Sequence, residues 1–438
     1  MGQGIFFIPV LAARLGAGKR RESRFALTLL AALALMVMPM TTWQQTYGWV
    51  SAFANFVAGA AVLLLALLVR RSCGTGRQSL WKRAALFLLC LAAQLFAENL
   101  TVCLLAAAVC DAGYALWSKQ GRRAALAALA GAALGAFLMF HNPMYGQLMA
   151  TGEAVEGVRH LAFDPDAGLP AIAAGAVKRC FAVLLPAVFE NNAGVAALVG
   201  LGCLWQLVRR KTHPILIFLA GAWTALYCLQ AAYVVEMLRR DGTWPCPWEQ
   251  LRPWGAAVQL ALILAVLLTD RGEDRLRRLW LLAGAAALMA PFSVVMDMGA
   301  RCCYLSQVVL VALGTDLLRD LPWNRGLTGL AALLLAAAVG FHVEVYSVIG
   351  ACEGTRQQLR VQAAEQGASS LVLPTEAWRC AYSWARDPQS AGRAGYYRQF
   401  YGLPEDMELI FLPRGSWEKW PEVTESMMAG ALVYPPEK

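Results

Sequence analysis

Residues 80–140 read LWKRAALFLLCLAAQLFAENLTVCLLAAAVCDAGYALWSKQGRRAALAALAGAALGAFLMF. Three apolar runs, near 84–97, 100–117 and 124–141, are parted by two breaks of different chemistry. The first break is a bare Glu98-Asn99, and the second is the basic stretch SKQGRR at 118–123. A run of about 20 apolar residues matches the roughly 30 Å of a bilayer's hydrocarbon core. In lipid the backbone must bond within its own segment, so such runs are helices. Ala and Leu enrichment agrees, and the roughly ten-residue alternation of a membrane β-barrel is missing.

The same rhythm continues outward. Hydrophobic residues make up 58% of the 438-residue chain and charged residues 15%, against about 25% charged in a soluble domain. Mean hydropathy is +0.49. Further spans are expected near 25–42, 50–69, 192–208, 214–236, 254–269, 279–296, 302–318 and 327–349, eleven with the first three. The expected fold is an all-α polytopic membrane protein over 1–349, followed by a small α+β tail over 350–438.

Basic residues crowd alternate linkers: Arg70, Arg71, Lys82 and Arg83; Lys119, Arg122 and Arg123; Arg209, Arg210 and Lys211; Arg275, Arg277 and Arg278; Arg319 and Arg325. The positive-inside bias then places these linkers and the N-terminus in the cytoplasm, and the tail outside the cell membrane. The net charge of +9 is accounted for by this asymmetry and by contact with anionic lipid headgroups. It calls for no nucleic-acid partner. The N-terminal span lacks a small-residue cleavage site and reads as an anchor.

Two regions break the rhythm. The outer loop 142–191 carries Glu153, Glu156, Arg159, His160, Asp164 and Asp166, then LPAIAAGAVKRCFAVLLPAV at 169–188. As a span, the second piece would hold Lys178 and Arg179 near the bilayer centre at about 5 kcal/mol or more. An interfacial or re-entrant helix is expected there instead. In the tail, GTRQQLRVQAAEQGA (354–368) has helical spacing. SLVLP (370–374) and ELIFLP (408–413) read as short strands, with the aromatic, basic YYRQFYG (396–402) between them. The 12 cysteines form no array at metal-ligand spacing. Cys352 and Cys380, both in the tail, are the one pair for which a disulfide is considered.

Polar outliers gather at the expected outer ends of the spans. They include Trp43, Gln44, Gln45, Tyr47 and Trp49; Glu98 and Asn99; Glu190, Asn191 and Asn192; Glu236, Arg239 and Arg240; Asp297 and Arg301. Each alone is most simply a wet helix end, with the aromatic ones forming an interfacial belt. Together, arginines, carboxylates and amides suit a phosphate-bearing ligand and a hydroxyl acceptor, because the guanidinium fork matches phosphate geometry. The substrate-binding candidates are Glu98, Asn99, Asn191, Arg239, Arg240, Asp297 and Arg301, with Asn99 also placed to cap the helix that follows. No residue is assigned a catalytic role, and no metal or cofactor is called for.

The stretch TTWQQTYGWVSAFANFVAGAAVLLLALL (41–68), with Trp43, Gly48, Trp49, Asn55 and Phe56, resembles a segment of an uncharacterised bacterial multi-pass family. That family is itself similar to the C-type, polyprenyl-phosphate-sugar-dependent glycosyltransferases. Glu98-Asn99, GAALGAFLMFHNPMYG (131–146) and QFYGLPEDMELIFL (399–412) extend the likeness. The resemblance implies hexosyl transfer at the outer face, from a polyprenyl-phosphate sugar to a cell-envelope glycan. C-type enzymes usually carry an acid in the first outer loop, whereas TTWQQTYGWV has none. The resemblance thus implies either a missing N-terminal segment or a non-catalytic relative. A polytopic transporter or lipid flippase, which would need polar groups deep in the spans, and a non-enzymatic envelope protein are the alternatives.

Overall fold

The computed structural model describes residues 2–17, 21–73, 79–151, 162–163, 168–241, 248–272, 274–295, 298–375, 391–413 and 431–435. The chain divides into two compact units, Met1–Ala338 and Val339–Lys438.

The first unit is helical. Its elements are α1 (Gly2–Ala17), α2 (Arg21–Met36), α3 (Met40–Thr46), α4 (Val50–Ser72), α5 (Leu80–Gln94), α6 (Glu98–Ser118), α7 (Arg122–Phe140) and α8 (Pro143–Thr151). Then follow α9 (Leu169–Glu190), α10 (Ala193–Arg209), α11 (Pro214–Asp241), α12 (Trp248–Leu268), α13 (Arg275–Met289), α14 (Tyr304–Leu317) and the start of α15 (Arg325–Glu365). Helices α4 and α9 each contain one π-helical turn, at Phe53–Ala58 and Cys180–Leu184.

Among the described residues eight helical segments are long and apolar enough to cross a membrane: α4, α6, α7, α9, α11, α12, α15, and α14 taken with the 3-10 turn that leads into it (Ala300–Leu317, 18 residues). Helices α2 and α3, bent by 99° at Val37–Pro39, make a ninth if taken as one broken span. Eleven were expected. Helices α5 and α13 stop at 15 residues and α10 at 17, so each falls short on its own. In the other direction, 169–190 forms one continuous apolar helix of spanning length. Its Arg179 is not left bare: Nε and Nη2 donate to the carbonyls of Phe292 (2.8 Å) and Val295 (3.1 Å).

Helix α14 is the axis of this unit. All 14 of its residues are buried, and α1, α2, α10 and α13 pack around it. Its polar side chains are tied to neighbours, as with Ser306 Oγ, which donates to Ala285 O at 2.5 Å. A second packing site joins α5, α6 and α7 through small residues. Ala124, Ala128, Gly131, Ala132, Gly135 and Ala136 form the buried face of α7. Small side chains let membrane helices approach closely, and at Gly131 a Cβ would lie 2.2 Å from Phe87 O.

The second unit contains the rest of α15, then β1 (Ser370–Pro374), α16 (Ala391–Tyr401), β2 (Glu408–Leu412) and β3 (Leu432–Tyr434). Strand β1 pairs parallel with β2, Ser370 opposite Glu408, and β2 pairs antiparallel with β3, Leu409 opposite Tyr434. The strand order is β1-β2-β3. Leu371, Leu373, Leu409 and Phe411 alternate inward onto Ala394, Tyr397 and Met407. The Tyr397 hydroxyl accepts from Arg356 Nη2 (3.2 Å) and Arg360 Nη2 (2.7 Å), and Arg398 donates to the carbonyls of Met407 (2.8 Å) and Tyr434 (3.1 Å). Cys352 is buried and makes no disulfide among the described residues; Cys380 lies outside them.

Candidate functional site

Helix α13 stops at Met289, where Pro291 cannot donate to an α-helical ladder. The chain then runs through two 3-10 turns, Ala290–Ser293 and Ala300–Cys303, before α14 begins. This short connection gathers polar side chains from α2–α4, α6, α9 and the start of α10, all far away in sequence.

The Asn99 amide donates to Leu288 O at 3.0 Å and is buried. Asn99 therefore does not cap α6: Ala97 holds the cap position, in extended conformation, and Glu98 is the first helical residue. A carboxylate there suits the positive end of the helix dipole. Half-buried Glu98 accepts from Tyr145 Oη at 2.8 Å. Asn191 Nδ2 approaches Cys303 Sγ at 3.5 Å, and its backbone carbonyl accepts from Thr42 Oγ1 at 2.7 Å. Asn192 caps α10, its Oδ1 accepting from Val195 N at 3.1 Å.

The α3 residues Trp43 and Tyr47 are buried, with only 2% and 5% of their surface exposed. They are packing residues and not an interfacial belt. Tyr47 Oη meets Tyr304 Oη at 2.6 Å, with the rings edge to face. Next to them, Gln45 Oε1 accepts from Arg301 N at 3.4 Å. Gly299 sits so close that a Cβ there would lie 2.6 Å from Gln45 Oε1. The Arg301 guanidinium lies over the Trp49 ring, 4.7 Å from its centre. A cation over an indole face is attracted by the ring quadrupole. Half-buried Arg301 makes no ion pair among the described residues. That sets it apart from its neighbours: Arg179 is used up on carbonyls, and Arg252 grips Glu190 Oε2 through Nε (2.9 Å) and Nη2 (2.6 Å).

Of the residues expected from sequence, Asn99, Asn191 and Arg301 all line the 288–304 connection, and Glu98 adjoins Asn99. Asp297 lies outside the described residues. Arg239 and Arg240 fall in the last turn of α11, and their side chains lie outside what is described. Sequence reasoning missed Tyr145, Arg179 and the Glu190–Arg252 pair. Glu190 and Arg252 stand 62 residues apart, so no local spacing signals the pair. Among the described residues no group of three His, Cys, Asp or Glu side chains comes together to hold a metal.

At the far end of α14 the chemistry differs. Asp316, fully buried, is bound by Arg278 Nε at 2.7 Å and also by Arg277. Arg278, 1% exposed, reaches Asp270 at 2.5 Å, and Arg210 joins Asp270 at 3.4 Å. Arg319 binds Asp274, and its hydrogen bond holds the Asp274 carboxyl below the usual carboxylate range. Arg210, Arg277, Arg278 and Arg319, which count toward the expected orientation, are thus paired with aspartates that tie α10, α12, α13 and α14 together. No known protein family, curated protein or solved structure matches this chain.

Proposed function

We propose that the α3/288–304 end of the bundle recognises a phosphate-bearing lipid, and that the protein is a glycosyltransferase-like membrane protein. In this reading it acts at the outer face of the cell membrane on a polyprenyl-phosphate sugar and a cell-envelope glycan. One observation carries the reading: Arg301 is held by its backbone through Gln45 and by its guanidinium over Trp49, with no carboxylate partner among the described residues. A fixed guanidinium with donors to spare suits a phosphate oxygen pair. Glu98, at the N-terminal end of α6 and bonded to Tyr145, is the carboxylate that would take a proton from an acceptor hydroxyl.

The test is transfer of labelled sugar from a polyprenyl-phosphate donor in membranes containing the full chain. Wild type transfers label; Arg301→Ala and Glu98→Gln, at equal membrane levels, lose it at least tenfold. Absence of wild-type transfer with bacterial envelope glycan as acceptor removes the enzymatic reading. A transporter or flippase is the second reading, favoured by polar side chains buried within the bundle: Gln206, Gln259 and Gln307 are each fully buried.

A further inference from the structure

The interior of the first unit holds polar atoms that its hydrogen bonding does not use. Glu190 is 2% exposed and gives only Oε2 to Arg252. Its Oε1 has no hydrogen-bond partner among the described residues. The same holds for Tyr227 Oη, for both amide atoms of Gln259, for Gln307 Oε1 and for Gln230 Nε2. Tyr227, Gln259 and Gln307 are fully buried. A buried polar atom without a partner costs stability, so several in one place are a signal.

These groups belong to one neighbourhood. Phe189, next to Glu190, packs edge to face against Tyr227 at 6.2 Å, which sets the Tyr227 ring beside the last turn of α9, where Glu190 meets Arg252. Gln307 Nε2 donates to Val188 O at 3.2 Å, which places its amide beside the last turn of α9. A Cβ on Gly255 would lie 3.3 Å from the Tyr227 ring and 3.9 Å from Gln230 Oε1. Arg252, Ala256 and Gln259 recur at i, i+4 and i+7 on α12, one face of the helix. Trp223, one turn before Tyr227, stacks on it at 6.1 Å and 16°.

We infer that this cluster between α9, α11, α12 and α14 is a binding site for a small neutral polyhydroxyl group, a sugar ring or polyol. Among the described residues charge decides against ions, because Glu190 and Arg252 cancel. The remaining atoms decide between the neutral classes. Glu190 Oε1, Gln259 Oε1 and Gln307 Oε1 accept; the Gln259 and Gln230 amides donate; Tyr227 Oη does both. A bare cation would meet the donors, and an anion would meet the acceptor oxygens. Hydroxyl groups, each donor and acceptor at once, satisfy both kinds. The Trp223–Tyr227–Phe189 aromatics supply the apolar face that a sugar ring's C–H surface needs. The inference goes beyond the proposed transfer reaction, and it holds whether or not a glycosyl bond is made.

The test is the thermal midpoint of the full chain in nanodiscs, titrated separately with D-glucose, D-galactose, D-mannose and myo-inositol. Trimethylamine N-oxide, which lacks hydroxyls, corrects for stabilisation by excluded solutes. Binding raises the midpoint beyond that control and changes the Trp223 fluorescence. Tyr227→Phe and Gln259→Leu each weaken the apparent affinity about tenfold, the usual cost of one lost hydrogen bond with its partner left bare. Both variants keep or raise the ligand-free midpoint, because each removes an unpartnered atom. Arg301→Ala leaves sugar binding intact, which separates this site from phosphate recognition at α3/288–304. No response beyond the control to any of the four probes, or a response that survives both variants, overturns the inference.

Discussion

Removing Asp316 separates a structural ion network from decorative surface charge. Asp316 is fully buried and bonds Arg278 Nε at 2.7 Å. Arg278 itself is 1% exposed. Deleting one partner of a buried pair costs about 3–5 kcal/mol, since the other charge stays in a dry site. Arg278 retains Asp270 at 2.5 Å, and Arg277, a quarter exposed, retains Asp274 at 3.1 Å. The cost of Asp316→Ala therefore sits at the lower end, about 3 kcal/mol. Asp320→Ala removes ion pairs to Arg209, 41% exposed, and to Arg319, 3.6 Å away and 18% exposed; with the partners closer to solvent it costs less, about 1 kcal/mol. Replacing both charges, as Asp316→Leu with Arg278→Met, leaves no buried orphan from this pair, and Asp270 keeps Arg210 at 3.4 Å, so the double variant recovers part of the loss. The assay is equilibrium unfolding of the purified full chain in mixed micelles, read as a double-mutant cycle. Equal costs for Asp316→Ala and Asp320→Ala, or a double variant as unstable as the sum of its singles, would refute the reasoning.

Other consequences are as direct. Tyr47→Phe leaves the buried Tyr304 hydroxyl without its 2.6 Å partner and costs about 1–3 kcal/mol in the same assay, while Tyr47→Phe with Tyr304→Phe costs far less. Gly131→Ala drives a methyl against Phe87 O, whereas Gly113→Ala meets nothing within 4 Å; folded yield, measured by fluorescence size-exclusion chromatography, falls for the first and holds for the second. Burial pushes the Tyr401 hydroxyl of the second unit up to about 12, against about 10 in an unfolded chain. The raised value means that the unfolded form ionises first. This group's contribution is intact below pH about 10 and is lost as pH climbs toward 12. Absorbance titration of tyrosinate in wild type and Tyr401→Phe checks the midpoint.

Much of the fold was legible where one physical rule dominates. The apolar run at 100–117 corresponds to α6 (98–118) and the run at 124–141 to α7 (122–140) because no proline breaks either, and Asp111, the charge inside α6, is paired with Arg70 at 2.6 Å. The tail strands at 370–374 and 408–412 follow from their β-rich, Pro-terminated composition. Strand β3, only three residues long, is too short to carry an alternation. Where the reading diverged, a tertiary partner decided. Lys178 and Arg179 argued against a long helix at 169–190, yet the carbonyls of Phe292 and Val295 satisfy Arg179 from more than 110 residues away. The arginines near 209–210, 277–278 and 319 looked like bare topological charge until Asp270, Asp274 and Asp316 met them in space. At the candidate site, residue types were legible and roles were not: Trp43 is core, Asn99 bonds a carbonyl and does not cap, and Glu190 finds Arg252 only through the fold.

Phosphate recognition by Arg301 is tested most directly by binding of a short-chain polyprenyl phosphate to the full chain in nanodiscs. Wild type binds, and both Arg301→Ala and Trp49→Ala weaken binding at least tenfold, while Arg14→Ala, remote in sequence from the α3/288–304 connection, leaves it unchanged. Equal affinity in wild type and Arg301→Ala would contradict the assignment.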